Sequence, residues 1–285
     1  MKIFYSPKCL TYSQPGHPES PARAQYTYEY LEKHGYSFQE PQICQDDDIL
    51  RVHSRQLLES VKKESFLDFD TPAYAGIYDI ARLSAGSAID AAQSCLTSGE
   101  MAFSLMRPPG HHATKNELGG FCYFNNIAIA CLKALRDFDH VNKIAVVDFD
   151  CHHGNGTEDI LLGKSEALYL SLHQSPLYPG TGQRSIDNCI NYPLSANTTP
   201  TQYLAALEEG LKKVKEFDPD LLAVSAGFDS YRLDPITNLT LELSTYKAIG
   251  KMLSKFQKPT FSILEGGYSR DLPECVHNFL TGLEE

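Results

Sequence analysis

Three segments of this chain set carboxylates and imidazoles where one ion or one reacting bond could meet them. In Asp148-Phe149-Asp150-Cys151-His152 the polar residues alternate, so in extended backbone all three project to the same side. Asp150 and His152 are oxygen and nitrogen donors suited to a zinc-like ion. Asp229, closing Ser225-Ala226-Gly227-Phe228-Asp229, offers a third and leaves a coordination position open, as catalytic zinc requires. Taken alone, Asp148 and Asp150 serve equally well as helix caps or turn residues. The pair His111-His112 follows the stiff Pro108-Pro109-Gly110 turn, and imidazoles with an ordinary pKa of about 6.5 suit proton transfer at neutral pH. An isolated pair reads as readily as one core and one exposed histidine. Tyr268, after Gly266 and Gly267, brings a phenol that suits a developing oxyanion, or else a ring that packs in the core.

These groups share a position relative to the elements that must carry them. Short apolar runs at Ala102–Met106, Lys143–Asp148, Ala167–Leu172, Leu221–Ser225 and Thr260–Leu264 read as buried strands. Between them, 3.6-residue periodicity predicts helices over Pro21–His34, Ala73–Thr97, Asn125–Arg136, Pro200–Lys215, Leu241–Phe256 and Leu272–Leu283, the first opened by Ser20 as cap and Pro21 at its first position. This alternation implies an α/β fold with a mostly parallel central sheet and helices on both faces. Ligands of such sheets gather beyond the carboxyl ends of the strands. Four of the five predicted strands run directly into the clusters above.

Bulk properties narrow the function classes. The chain has 285 residues, 42% hydrophobic and 21% charged, enough for a full core and for one domain over residues 1–285. A net charge of -11, with no run of Lys or Arg, argues against nucleic-acid binding. No stretch approaches the roughly 20 apolar residues of a membrane span, and the apolar run at Met1–Ser6 is too short for a signal peptide, so a cytoplasmic location is expected. The eight cysteines include no CxxC pair and fit reduced thiols.

The segments Arg107-Pro-Pro-Gly-His-His-Ala113, Gly119-Gly-Phe-Cys-Tyr-Phe-Asn125, Asp148-Phe-Asp-Cys-His-His-Gly-Asn-Gly-Thr157, Tyr178-Pro-Gly-Thr-Gly182, Ser225–Asp229 and Glu265-Gly-Gly-Tyr268 resemble the signature blocks of the histone deacetylase superfamily, in family order. His17-Pro-Glu-Ser-Pro-Ala-Arg23 matches as well, so the resemblance covers nearly the whole chain. It is closest in form to the class II and bacterial acetylpolyamine amidohydrolase branches, and it implies the single-domain arginase/deacetylase-like fold. Hydrolysis of an amide between an acyl group and a lysine-like amine is the implied reaction.

Carried over residue by residue, the resemblance implies that Asp150, His152 and Asp229 hold a catalytic metal, zinc first and ferrous iron as the alternative. His111 and His112 exchange protons with water and the leaving amine, Tyr268 donates to the tetrahedral oxyanion, and Asp148 orients His111. Asn155 stands where many members carry an aspartate beside the second histidine, so the pKa of His112 is expected to be lowered relative to theirs. Potassium is implied at Asp148 with Asp150, His152, Ser171 and Leu172. Phe121 and Tyr178 are the implied channel walls, with Gly120, Gly267 and the rim residue Asp70 also facing substrate, and Arg23 near an acetate exit path. Asp70 reads equally as a turn residue before Pro72. Ile236 occupies the gate position where polyamine-selective relatives place an acidic residue, which favours acylated lysine in peptides or proteins over acylated polyamines. His53, His153 and His173 are expected to be structural. An arginase-like dinuclear site would need further carboxylates where His153 and Asn155 stand, and a non-catalytic acyl-lysine binder would tolerate loss of a ligand or of Tyr268, which is not seen.

Overall fold

The computed structural model describes residues 1–285. Eight strands, β1 (Lys2–Phe4), β2 (Phe38–Gln39), β3 (Ala102–Ser104), β4 (Ile144–Asp148), β5 (Ala167–Gln174), β6 (Cys189–Leu194), β7 (Leu221–Ala226) and β8 (Thr260–Leu264), form one sheet in the order β2-β1-β3-β8-β7-β4-β5-β6. Every pairing is parallel. Nine helices connect and cover them: α1 (Pro21–Lys33), α2 (Asp46–Ile49), α3 (Arg55–Lys62), α4 (Ile77–Ser98), α5 (Asn126–Asp137), α6 (Asn155–Leu161), α7 (Pro200–Phe217), α8 (Leu243–Ser254) and α9 (Leu272–Glu284).

Both faces of the sheet are buried. In β4, Ile144 and Val146 pack into one apolar layer with α4 and α5, while Ala145 and Val147 pack into a second layer with α1, α7, α8 and α9. This two-sided burial is why the strands read as continuous apolar runs rather than alternating ones. The strands β3, β8, β7 and β4 are neighbours in the sheet. They are the four strands whose ends carry the polar clusters, so the sheet order itself gathers the candidate chemistry.

Several expected boundaries move for local reasons. The strand expected over Ala102–Met106 ends at Ser104, where the chain turns toward the Pro108-Pro109 pair, although Leu105 N–H still bonds Phe4 C=O. Helix α4 starts at Ile77 rather than Ala73 because Gly76 takes a left-handed conformation at the cap. Helix α8 starts at Leu243, with Glu242 and Thr245 in a reciprocal capping box, and Leu241 bridges Tyr231 instead. Ser20 occupies the cap position of α1 but its hydroxyl makes no capping bond, leaving Pro21 as the effective start signal. Two short strands, β1 and β2, escaped the sequence pattern. So did β6, whose Pro193 is tolerated because β6 is an edge strand. The segment Asn155-Gly156-Thr157, which closes the Asp148–Thr157 block, is the first turn of α6.

Candidate active site

Beyond the ends of β3, β8, β7 and β4 lies a cavity of about 180 Å3. Its lining includes the buried His111, His112, Asp150, His152 and Gly266, and the partly exposed Asp70, Phe121, Tyr178, Ile236 and Tyr268. A larger groove of about 360 Å3 between α7 and α8 is lined by Lys212, Lys215, Lys255 and Lys258 and holds no imidazole or thiol. Size alone does not make a site; converging polar groups do.

Asp150, His152 and Asp229 are buried together, each offering a donor atom within 4.8 Å of the others, and Asp150 and His152 line the cavity. β4 ends at Asp148, so the alternation seen in the sequence continues as a turn rather than as strand. Asp148 Oδ1 accepts Asp150 N–H at 3.1 Å, and Asp150 Oδ1 accepts His152 N–H at 2.9 Å. The turn-residue reading therefore holds, and it leaves the donor set convergent: one carboxylate oxygen fixes the loop while the side chains of Asp150, His152 and Asp229 still approach one another. Asp150 Oδ2 accepts Gly266 N–H at 2.7 Å, and Asp229 Oδ1 accepts Cys151 N–H at 2.8 Å.

These residues fit a metal. Two buried carboxylates face one imidazole, with His152 Nδ1 2.7 Å from Asp229 and 3.3 Å from Asp150. Burial and the Asp150 charge push the Asp229 carboxyl above its ordinary range. Against the cost of burial, Asp229 and Asp150 raise His152 to about 10, so the pair draws a proton onto the imidazole as the available positive charge. A cation would meet the same demand. The backbone of Gly266 passes so near that a Cβ there would lie 2.6 Å from Asp150 Oδ2 and 2.7 Å from Asp229 Oδ2, which explains glycine at that position.

The histidine pair stacks at 4.0 Å between ring centroids and divides into two electrostatic types. His111 Nδ1 is 3.1 Å from Asp148 Oδ2, and its Nε2 is 3.8 Å from Asp150. Burial opposes its charge, but Asp150, Asp148 and Glu265 override that and raise it to about 10. An ion held on Asp150 would offset part of that rise. His112 goes the other way: burial and the neighbouring His111 and His152 hold it well below 6.5, and its Nδ1 lies 2.8 Å from Asn155 Oδ1. The first cause of this lowering from the ordinary histidine value is burial, and the Asn155 contact works against it by favouring the charged form.

Supporting residues that carried no assigned role in the sequence reading now have one. Glu265 Oε2 accepts the N–H groups of Gly110 and His111 at 2.7 and 3.2 Å, pinning the histidine turn to the end of β8. Arg107, wholly buried, makes a forked pair with Glu19 at 2.5 and 2.7 Å and donates to Cys9 C=O at 2.6 Å. A charge between an apolar strand and Pro-Pro was the available signal for Arg107, and a carboxylate directly at a strand end was the signal for Glu265.

His53 is structural, as expected. Its Nδ1 pairs with Thr114 C=O at 2.9 Å, and its Nε2 accepts Asn125 N–H at 2.8 Å, which makes it a neutral Nδ1–H tautomer holding the cap of α5. Burial lowers its pKa to about 4. The unfolded chain, with a histidine pKa near 6.5, binds this proton first as pH falls, so the stabilisation is complete above about 6.5 and is lost as pH drops toward 4. Between pH 7 and 5 this group should cost about 2 kcal/mol of unfolding free energy. Urea titration of the wild type and His53→Gln at both pH values checks this; the variant should show the smaller pH dependence, and equal dependence would refute the assignment.

The walls are shaped by strained backbone. Gly120 has φ +55°, and a Cβ there would collide with the His112 ring, so only glycine lets this loop close over the pair. Phe121, at φ +70°, is held by its N–H to Thr71 Oγ1 at 2.9 Å, and its ring meets Tyr268 edge-on at 5.8 Å. Tyr178 stands edge-on to His112 at 5.0 Å. Asp70 is both a turn residue, with its N–H on Asp68 at 3.0 Å, and a lining residue. Gly267 does not line the cavity: its C=O accepts Arg23 Nε at 2.6 Å, and Gly266 takes the wall position instead. The Arg23 guanidinium lies over the Tyr268 ring, 4.7 Å from its centroid. His153 and His173 sit behind the site, on Thr181 Oγ1 at 2.8 Å and Gly182 C=O at 3.0 Å, tying down the loop that carries Tyr178.

A parallel sheet with this order, carrying carboxylate, imidazole and phenol groups at its central strand ends, defines an α/β protein with a candidate metal-binding active site. Residues 17–283 match the family model described as the histone deacetylase domain. The chain is 38% identical over its full length to a probable deacetylase of Methanothermobacter thermautotrophicus, covering 91% of that protein. It is 34% identical to a histone deacetylase-like amidohydrolase of Pseudomonas aeruginosa, over 91% of this chain and 75% of that one. A crystal structure of an acetylpolyamine aminohydrolase from Burkholderia pseudomallei superimposes with a TM-score of 0.91 at 27% identity, covering 99% of this chain and 98% of that one. The chain belongs to the histone deacetylase family, with the family's fold, and is an amide-hydrolysing enzyme of that family. No helix is long and apolar enough to cross a membrane.

Proposed function

We propose that this chain is a metal-dependent deacylase that removes acetyl or other acyl groups from lysine side chains of peptides or proteins. The observation that carries this reading is that the buried donor cluster Asp150, His152 and Asp229 contributes Asp150 and His152 to the lining of the same cavity that His111, His112 and Tyr268 line. Zinc suits this mixed oxygen and nitrogen set, with ferrous iron the alternative. When bound, the ion supplies Lewis acidity toward the amide carbonyl and toward water.

The chain's own residues do the rest. His112, held neutral, accepts a proton from the attacking water, with Asn155 fixing its ring. His111, held charged by Asp148 and Asp150, gives one to the leaving amine. Tyr268 donates to the oxyanion; burial, aided by the Asp229 and Asp150 charges and opposed by Arg23, keeps the phenol protonated. Phe121 and Tyr178 flank the apolar stem of the acylated side chain, over Gly120. Potassium is proposed at Asp148, Asp150, His152, Ser171 and Leu172, supported by the register that sets Asp148 opposite Ser171.

Ile236 favours lysine over polyamine, since an apolar side chain at the cavity cannot balance a second ammonium group. Asp70 favours it too, as an acceptor for peptide N–H groups. The competing polyamine reading draws on the Burkholderia pseudomallei neighbour and the net charge of -11. The kcat/KM for an acetyl-lysine peptide, measured against N-acetylputrescine and N-acetylspermidine in one buffer, should favour the peptide. A polyamine advantage of about tenfold, near 1.4 kcal/mol in transition-state binding, would overturn the substrate assignment and leave the deacylase reading standing.

A further inference from the structure

Tyr268 is unusual among the cavity residues in how it is held. Its hydroxyl has no hydrogen bond to the protein, and its ring rests on Phe121 at 5.8 Å and under Arg23 at 4.7 Å. It follows two glycines, the second at φ +118°, a flexible approach that does not by itself fix a side chain. What fixes its backbone is a carboxylate from another loop. Asp234 Oδ2 accepts Tyr268 N–H at 2.7 Å, and Asp234 Oδ1 accepts Ile236 N–H at 3.1 Å. Asp234 is 7% exposed and lies on the loop that begins at Asp229. One buried side chain therefore ties together a metal-ligand loop, the gate residue Ile236 and the phenol-bearing loop after β8.

We propose that Asp234 is a positioning residue that sets the Tyr268 phenol, and with it the Ile236 wall, relative to the donor cluster. A carboxyl group has two oxygens, so it can accept both backbone N–H groups at once. Asparagine has nearly the same shape but only one acceptor oxygen; its amide nitrogen would oppose one of the two N–H groups. Either the Tyr268 or the Ile236 backbone then loses its partner. A displacement on the order of 1 Å at a reacting group costs up to about 100-fold in rate.

This inference rests on the reading that the Tyr268 phenol serves the reaction, and a double-mutant cycle separates the two. Asp234→Asn should lower kcat for an acetyl-lysine peptide by about 10- to 100-fold, with metal content unchanged and the far-ultraviolet circular dichroism of the wild type. In the Tyr268→Phe background, the same substitution should change kcat less than about threefold, because the group it positions is already gone. An equal effect in both backgrounds, or a normal kcat in the single variant, overturns the role of Asp234. Near-normal kcat in Tyr268→Phe alone overturns the underlying reading instead. If Asp234→Asn is not recovered folded, Asp234→Glu, which keeps both acceptors but displaces them, goes through the same cycle and is judged by the same outcomes.

Discussion

Asp229→Ala is expected to lose metal and turnover together while keeping its secondary structure. The aspartate is fully buried, with Oδ2 2.7 Å from His152 Nδ1 and Oδ1 on Cys151 N–H. Its removal leaves Asp150 and His152 as the only protein donors, where a catalytic site of this type uses three. It also leaves His152 without the neighbour that orients its ring. The loss in metal affinity should exceed the roughly 10- to 100-fold that follows removal of a mere outer partner. Elemental analysis and acetate release on the same preparation check both halves. A variant that keeps its metal but not its activity would show that Asp229 acts in some other way than as a ligand.

Tyr268→Phe should behave in the opposite manner with respect to metal. The hydroxyl makes no structural hydrogen bond, and the ring contacts with Phe121 and Arg23 survive the substitution. Folding, metal content and substrate affinity should therefore stay close to wild type. If the phenol donates to the oxyanion, kcat should fall on the order of 10²- to 10³-fold. Steady-state kinetics that separate kcat from KM decide this. Near-normal turnover would reduce Tyr268 to a packing residue and leave the oxyanion without a side-chain donor.

Much of the site was legible because its residues follow apolar runs directly. Asp148, Ser225 and Leu264 end or nearly end strands, so the polar residues after them had to emerge on one rim. The alternation of Asp148, Asp150 and His152 pointed to the donor cluster for a partly mistaken reason: they converge through a turn in which each carboxylate holds the backbone N–H two residues on, not through extended strand. What the sequence could not show is contact between distant segments. The grip of Glu265 on the Gly110-His111 backbone spans 155 and 154 residues, and the Asp234 bond to Tyr268 spans 34. Both depend on which strands become neighbours. Edge elements were hard for a different reason. The strand β2 has two residues and β6 contains a proline, so neither leaves a run long enough to read.

The direction of the His112 shift shows the same division. Its position beside Asn155 was visible in the Asp148–Thr157 motif, but burial, the first cause of its lowered pKa, exists only once the Gly120 loop has closed against the imidazole.

The claim that a single metal bound by Asp150, His152 and Asp229 supports amide hydrolysis is tested most directly on one sample of the purified wild-type protein. Metal content is measured together with acetate release from an acetyl-lysine peptide, before and after chelation and after readdition of zinc or ferrous iron. The expected result is one transition-metal ion per chain, with hydrolysis lost on chelation and restored by about one equivalent of metal. Two tightly bound transition-metal ions per chain, or hydrolysis that persists in fully stripped protein, would contradict it.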